Sequence, residues 1–418
     1  MKSYDIIIIG TGLTGLYLGY RLIQKNYKGN VLFLSKDSKP GGRICSYNLP
    51  KLIGECNKDN FKVEICASRY YDSQPLINNL SNELLMKITK NKAIPIVTPY
   101  EKYTYINSLS ESYEISIPSA IPNSSLEFAL QSGYYFLNQN MALSYVFTDY
   151  PTSNVPEIRF QNGFEYFAEK IEEIVSKHYD IKYNEEVTTI KKDKNYLINN
   201  IYISKKIVYT GIFSDFNNLI TTIPNLLNRR LLIEKYLIAF PSIKCYINYS
   251  KPFWGNKRYK YTGHLVINQV ILYSKTVLLI YLVGETANTL INMLPIDIRE
   301  QYMNEYKSKG WQDKNKFETL LSYITSELPG IINSSLEKYK LCFNENQLNS
   351  ATHMIVQYKP QATGFLKTIK YEKVNTIFDN IQKGDNFYYL TSDVNDNGGG
   401  WVERGFELVE NHLQDITL

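Results

Sequence analysis

The chain is poor in the residues that build metal centres and disulfide frameworks. Five cysteines stand in 418 residues, Cys45, Cys56, Cys66, Cys245 and Cys342, and no two of them form a C-x-x-C pair. An odd, dispersed set of this kind argues for reduced thiols in a cytosol-like compartment. The four histidines, His178, His264, His353 and His412, are far apart and show no metal-ligand spacing. Long apolar runs are missing as well. Val277–Val283 has the length of a strand, not of a membrane span. The first strand is expected to start almost at Met1, and no signal peptide is expected before it. Charge of one sign is scarce: the net value is +5 and the lysines are scattered. That excludes the basic patch of a nucleic-acid binder. Neither an internal repeat nor a low-complexity tail is present.

What is there suits a folded protein with a sizeable core. Hydrophobic residues make up 44% and charged residues 21% of the chain. The length fits two domains, or one cofactor domain with a second inserted into it. The 36 tyrosines, with abundant Asn, Lys and Ile, read as codon bias from an AT-rich genome such as a virus or parasite carries. The most informative stretch is the opening. Residues 4–9, Tyr-Asp-Ile-Ile-Ile-Ile, form an apolar run suited to a strand buried on both faces. Gly10-Thr11-Gly12-Leu13-Thr14-Gly15 follows at G-x-G-x-x-G spacing, and Leu16, Leu18, Leu22 and Ile23 then recur at helical period. Strand, glycine loop and helix in that order point to a bound dinucleotide. Gly10 makes the tight turn, Gly12 admits a pyrophosphate to the backbone, and Gly15 lets helix and strand pack. The helix N-terminus offers N–H groups and a positive dipole end to the phosphates.

Val31–Leu34 reads as the second strand. An acidic residue that grips the ribose is expected about 20 residues after the last glycine. Ser35 stands there, followed by Lys36. A serine hydroxyl can still hydrogen-bond, more weakly. Pro40-Gly41-Gly42-Arg43 supplies a second turn able to approach phosphate. Further on, helices are expected near 76–90, 125–145, 164–177, 298–307 and 314–327. Strands are expected at 181–183, 187–190, 205–209, 244–248, 264–268, 270–273, Val277–Val283 and 387–392. Another is expected at 219–224, ended by Pro224. A last helix is expected over 401–413, after Asn395-Asp396-Asn397-Gly398-Gly399-Gly400.

These segments together resemble the flavin-containing amine oxidases, the monoamine, polyamine and L-amino-acid oxidases. Gly10, Gly12, Gly15, Ser35, Gly41, Gly42 and Arg43 follow the family order, with Ser35 where the family has Glu. Tyr388 to Asp393 and then Gly398-Gly399-Gly400-Trp401-Val402-Glu403 resemble its closing strand, acidic residue, glycine turn and helix. The resemblance is thin over 76–150 and 290–385. It implies an α/β fold, a Rossmann-like FAD-binding domain with an inserted α+β substrate domain. The FAD-binding domain would comprise 1–75, 151–225 and 350–418, and the substrate domain 76–150 and 226–349.

The resemblance also implies roles. Asp393 would contact the flavin ribityl and pyrophosphate, the Val402 backbone the flavin ring, and Val187 the adenine. Lys244, in Ile243-Lys244-Cys245-Tyr246-Ile247, would reach flavin N5 through a water and favour electron transfer to O2. Arg69 falls where L-amino-acid oxidases carry a carboxylate-binding arginine. Pairing of Arg69 with a protein carboxylate or a flavin oxygen is the equal alternative. Trp401 would form one wall of an aromatic cage, with Tyr358 and Tyr371 as candidates for the other. No counterpart of the flavin-linking cysteine is present, so the FAD would be non-covalent. The implied activity moves a hydride from the α-carbon of an amine or L-amino acid to flavin N5, and O2 reoxidation gives H2O2. The implied partners are a small-molecule amine or amino acid and O2, with no nucleic acid and no membrane; a homodimer is compatible. The implied location is cytoplasmic, or a virion or host cytoplasm if the source is viral. Arg404 stands where the family has a small residue, and Cys66 where it prefers Gly. Three other readings stay open on the sequence: a flavin desaturase or isomerase, a degenerate structural relative, and, less favoured, a NAD protein.

Overall fold

The structure is a computed structural model that describes residues 1–48, 62–91, 96–97, 156–262, 267, 269–296, 312–313, 317–335, 337–367, 373–394 and 402–418. Helices expected at 125–145 and 298–307, most of the 264–268 strand, Cys56, Tyr371, Gly398 to Gly400 and Trp401 lie outside the described residues. Two compact units partition the chain. The first comprises Met1–Lys92, Phe147–Ile238 and Gly364–Leu418, and the second Ala93–Val146 and Ala239–Thr363.

The first unit is built round a parallel sheet. Strand β1 (Lys2–Ile9) lies between β2 (Val31–Leu34) and the strand Tyr202–Tyr209, with Ile7 opposite both Leu32 and Ile207. Asp180–Lys182 extends the sheet beyond β2, and Phe387–Tyr389 runs parallel to 207–209 on the other side. Strands covered on both faces must be apolar throughout. Ile6, Ile7 and Ile8 are accordingly inaccessible to solvent. Helix α1 (Leu13–Gln24), the helix Gly163–Val175 and the last helix, Val402–Thr417, pack in one apolar cluster with this sheet. At Gly19 a side chain would meet Phe33 and Val175 at 2.7 and 2.9 Å, so glycine there sets the close approach of α1 to both.

Expectation and structure differ at 219–224. No strand forms; Ile220 makes an isolated bridge to Thr189, and Pro224 opens the helix Pro224–Tyr236. Proline fits the first helical position because the N–H it lacks would have no partner there. Leu226, Arg229 and Ile233 then bury one side of that helix. The expected strand 187–190 is also shorter, with β structure from Ile190–Lys192 and Val187 in the segment before it.

The second unit carries a largely antiparallel sheet. Its strand order is Gln312–Asp313, Ala351–Leu366, Leu237–Tyr249, Val277–Val283, Gln269–Leu272, Lys260–Thr262 and Ile96–Val97. Ile243, Cys245, Ile247, Leu278, Ile280, Met354 and Val356 turn one face of this sheet into an apolar core. Leu320, Ile324, Leu328, Ile331 and Ile332, at helical spacing on Glu318–Asn333, close that core. Among the described residues no helix is long and apolar enough to cross a membrane.

Candidate functional site

Two glycine turns meet at the carboxyl ends of β1 and β2, within the first unit. Gly10 has φ +114°, a backbone that L side chains rarely adopt, and a Cβ on it would stand 2.5 Å from Thr210 Oγ1. Gly15 is just as confined: its Cβ would lie 2.3 Å from the Gly10 carbonyl oxygen. Gly12 caps α1 with no side-chain hydrogen bond, and the first turn holds no acidic residue. The opening N–H groups of the helix are therefore not capped by a side chain from Gly12 and face no first-turn carboxylate, an arrangement that favours an anion. Gly41 N donates to the Thr11 carbonyl at 2.9 Å, and Gly12 and Gly41 form a parallel bridge. At Gly42, with φ +59°, a Cβ would stand 3.2 Å from the Gly12 Cα. Backbone thus lies against backbone, and a side chain at Gly10, Gly15 or Gly42 would crowd it, whereas a Cβ at Gly12 would stand 4.0 Å from the Gly41 carbonyl oxygen, in ordinary contact.

Ser35 directly follows β2, buried at 3% exposure. Thr11 Oγ1 donates to its hydroxyl oxygen at 2.8 Å and Asp37 N donates at 3.3 Å. Its own proton is thereby directed away from both donors. Neither Thr11, which lies between two glycines of the motif, nor Thr210, whose side chain sits beneath Gly10, stands out from spacing alone. Thr210 Oγ1 donates to the Ile9 carbonyl at 3.1 Å. Lys36 pairs with Asp215 at 2.7 Å. Val187 is buried at 9% exposure.

Segments distant in sequence reach the same loop. Arg43, just past the second glycine turn, holds Asp393: Nη1 lies 3.0 Å from Oδ1 and 2.9 Å from Oδ2. Its Nη2 donates to Ser392 Oγ at 3.2 Å. Burial pulls the Arg43 pKa down, yet Asp393 and Cys66 outweigh it and the guanidinium is held charged. The last helix crosses α1 where Gly405 faces Thr14, whose Oγ1 would be 2.2 Å from an added Cβ. One turn on, Tyr17 and Phe406 stack at 4.0 Å, and Arg21 pairs with Glu410 at 2.6 Å. Val402 is the first residue of that helix. Arg404 pairs with Glu407 one turn along, at 2.8 Å.

Glu403 was not singled out from the sequence. Its buried carboxylate accepts from Leu76 N at 2.7 Å and Ile77 N at 2.8 Å, and so caps the helix Pro75–Glu83 from outside. Burial pushes its pKa up to about 7, against the two N–H donors that pull it down. The only signal in the sequence is an acidic residue in a first helical turn. Arg69 donates from Nε to Tyr71 Oη at 2.8 Å and lies 3.4 Å from Glu157, so a protein carboxylate shares its guanidinium.

In the second unit Lys244 sits mid-strand at 8% exposure, opposite Tyr281 in register, with Nζ 5.4 Å from that ring. Ile243 and Cys245 on either side face the apolar core, so Lys244 faces away from it. Tyr358 packs in that core, and its hydroxyl donates to Asn288 Oδ1 at 2.9 Å. Among the described residues no group of three or more His, Cys, Asp or Glu could hold a metal.

The chain is similar to known proteins at this site. Residues 8–84 match the family model of the NAD(P)-binding Rossmann-like domain. Over its full length it superposes on solved structures of putrescine oxidase. With the wild type bound to putrescine the TM-score is 0.64 at 12% identity, covering 99% of each chain. A triple mutant of that enzyme gives 0.66 at 12% identity, covering 99% of this chain and 98% of the other. This chain has the putrescine oxidase fold. The resemblance to flavin-containing amine oxidases therefore holds for the fold, and the Rossmann-like nucleotide-binding unit is part of it. An uncharacterized protein of Methanosarcina barkeri is 30% identical over 94 residues. That match spans 22% of this chain and 23% of the relative's length.

Proposed function

We propose that the chain is an FAD-dependent oxidoreductase of amines, with a primary or secondary amine or an α-amino acid as substrate. The observation that carries this reading is the meeting of two glycine turns with the Arg43–Asp393 pair at one helix N-terminus. A long diphosphate-bridged cofactor needs such a site, because each phosphate must approach backbone N–H groups that no side chain shields. The putrescine oxidase fold, seen with putrescine bound, supports the choice of an amine, and the resemblance to the flavin-containing amine oxidases supports that of a flavin. FAD, when bound, supplies the acceptor for a hydride equivalent from the substrate α-carbon. The residues of the chain bind and orient it. Gly12, Gly41 and Gly42 admit the pyrophosphate, Arg43 adds a charged hydrogen-bond donor, and Ser35 with Thr11 offers hydroxyls to the ribose. Lys36 and Val187 complete the proposed adenosine side, and Asp393 and Val402 the flavin side. Lys244 is the proposed cation of reoxidation by O2, Trp401 the proposed ring beside the amine, and Arg69 the proposed contact for a substrate carboxylate. With no cysteine assigned to a flavin link, the FAD dissociates. The dispersed cysteines, with no C-x-x-C pair, support a cytoplasmic location.

Purified protein is expected to be yellow, absorbing near about 450 nm, and to release FAD on denaturation. Anaerobic addition of amines and L-amino acids should bleach that band, and air should restore it with formation of H2O2. A colourless protein that takes up no added FAD would favour a non-enzymatic relative. A yellow protein that no amine or amino acid bleaches would favour another flavin chemistry. Lys244→Met should slow reoxidation while FAD stays bound; an unchanged rate removes its assigned role.

A further inference from the structure

Two buried polar side chains tie the last helix to the turn that carries Asp393. Gln382 ends the helix Val374–Gln382, and His412 lies within Val402–Thr417; both are below 9% exposed. Gln382 Nε2 donates to the Val394 carbonyl at 2.9 Å. A carbonyl can only accept, so the amide nitrogen is committed to it and Gln382 Oε1 must accept in turn. It meets His412 Nε2 at 3.2 Å. His412 therefore carries its proton on Nε2, and Nδ1 is a buried lone pair with no hydrogen-bond partner among the described residues. Val394 N closes the turn by donating to the Thr391 carbonyl at 3.0 Å. Between these two anchored residues stand Ser392 and Asp393, the partners of Arg43.

We propose that Gln382 and His412 are a positioning pair for the nucleotide site, fixing the 391–394 turn so that Asp393 and Ser392 stay in reach of Arg43. The inference rests on the reading that this turn helps hold the cofactor. It also implies sensitivity to acid. A second proton on the ring would place an N–H at Nδ1, where no acceptor stands among the described residues. Burial opposes that charge most, and the Lys383 ammonium adds to it; Asp415 and Asp379 act the other way. The Tyr388 ring lies beside the imidazole at 6.2 Å. His412 is thus held neutral below the usual histidine range, and the pair weakens only as the pH falls beneath that range.

Hydrogen exchange of the full chain without added cofactor tests the pair directly. Gln382→Leu and His412→Leu should each speed exchange at the Leu390 and Val394 amides about five- to tenfold, the loss of one buried hydrogen bond. His412→Gln should restore protection, because its amide N–H can donate to the same oxygen. The strand Lys2–Ile9 should exchange as in the native chain. Unchanged exchange at 390–394 in both leucine variants overturns the proposal. So does an equal rise in Lys2–Ile9, which would mean general destabilisation. FAD titration then separates the two readings. Weaker binding by the leucine variants, restored in His412→Gln, supports positioning; equal binding by all four proteins refutes it. If the native chain binds no FAD, the cofactor reading fails, while the exchange result still decides whether the pair fixes the turn.

Discussion

Alanine at Gly15 is expected to destabilise the first unit, whereas alanine at Gly330 is expected to stabilise the second. Both positions are helical, in α1 and in Glu318–Asn333. In an unobstructed helix alanine gains up to about 1 kcal/mol over glycine, through helix propensity and a less disordered unfolded chain. At Gly330 none of the described residues lies within 4 Å of the added methyl, so the gain should survive. At Gly15 the methyl carbon would stand 2.3 Å from Gly10 O and 3.0 Å from Thr210 Oγ1, where ordinary contact begins at 3.4 Å. The obstructing atoms cannot swing aside. Gly10 N is bonded to Leu34 O at 2.8 Å and Thr210 N to Ile9 O at 2.8 Å. Overpacking of a fixed site costs about 1–3 kcal/mol, and loss of one of these bonds about 1 kcal/mol more. Set against the propensity gain, the net loss is about 2 kcal/mol. Native-state hydrogen exchange of Lys2–Ile9 reads the first unit, and that of Glu318–Asn333 reads the second, so the two need not unfold together. Gly15→Ala should also weaken nucleotide binding. Protection of Lys2–Ile9 equal to or above native in Gly15→Ala would refute the reasoning.

Glu403 gives a pH dependence of known sign. Its pKa rises from 4.5 to about 7 on folding. The folded state then holds the proton more tightly than the unfolded, so its stabilising share is complete below pH 4.5 and is lost as the pH rises to about 7. That slope amounts to roughly 3 kcal/mol and should disappear in Glu403→Gln, measured by urea unfolding at a series of pH values. A native profile that is flat over this window would contradict it. Arg43→Met should leave Asp393 buried without its ion pair and lower FAD affinity at least tenfold, checked by titration of the apoprotein. Ser35→Ala should remove the acceptor of Thr11 and cost about 1 kcal/mol in stability; a matching Thr11→Val, Ser35→Ala double change should cost less than the two singles added.

Local patterning alone determined much of the nucleotide unit. An all-apolar strand, glycines at fixed spacing and a helix-period run are each local events, and β1, the loop and α1 follow from them. Gly41, Gly42 and the final helix were legible for the same reason. The strand Ala351–Leu366 was not, because Gln357 and Lys359 are buried on one face while Met354 and Val356 face the core, so burial does not show as hydrophobicity. Pro224 was misread because proline ends one element and begins another with the same backbone angle. Tertiary structure alone decided which residues meet. Arg43 and Asp393, Thr14 and Gly405, Thr11 and Ser35, and Gln382 and His412 are joined by chain folding over separations that no periodicity encodes. It also decided that Glu403 caps a helix hundreds of residues away. Spacing along a chain fixes which way a side chain points; only packing fixes what it finds there.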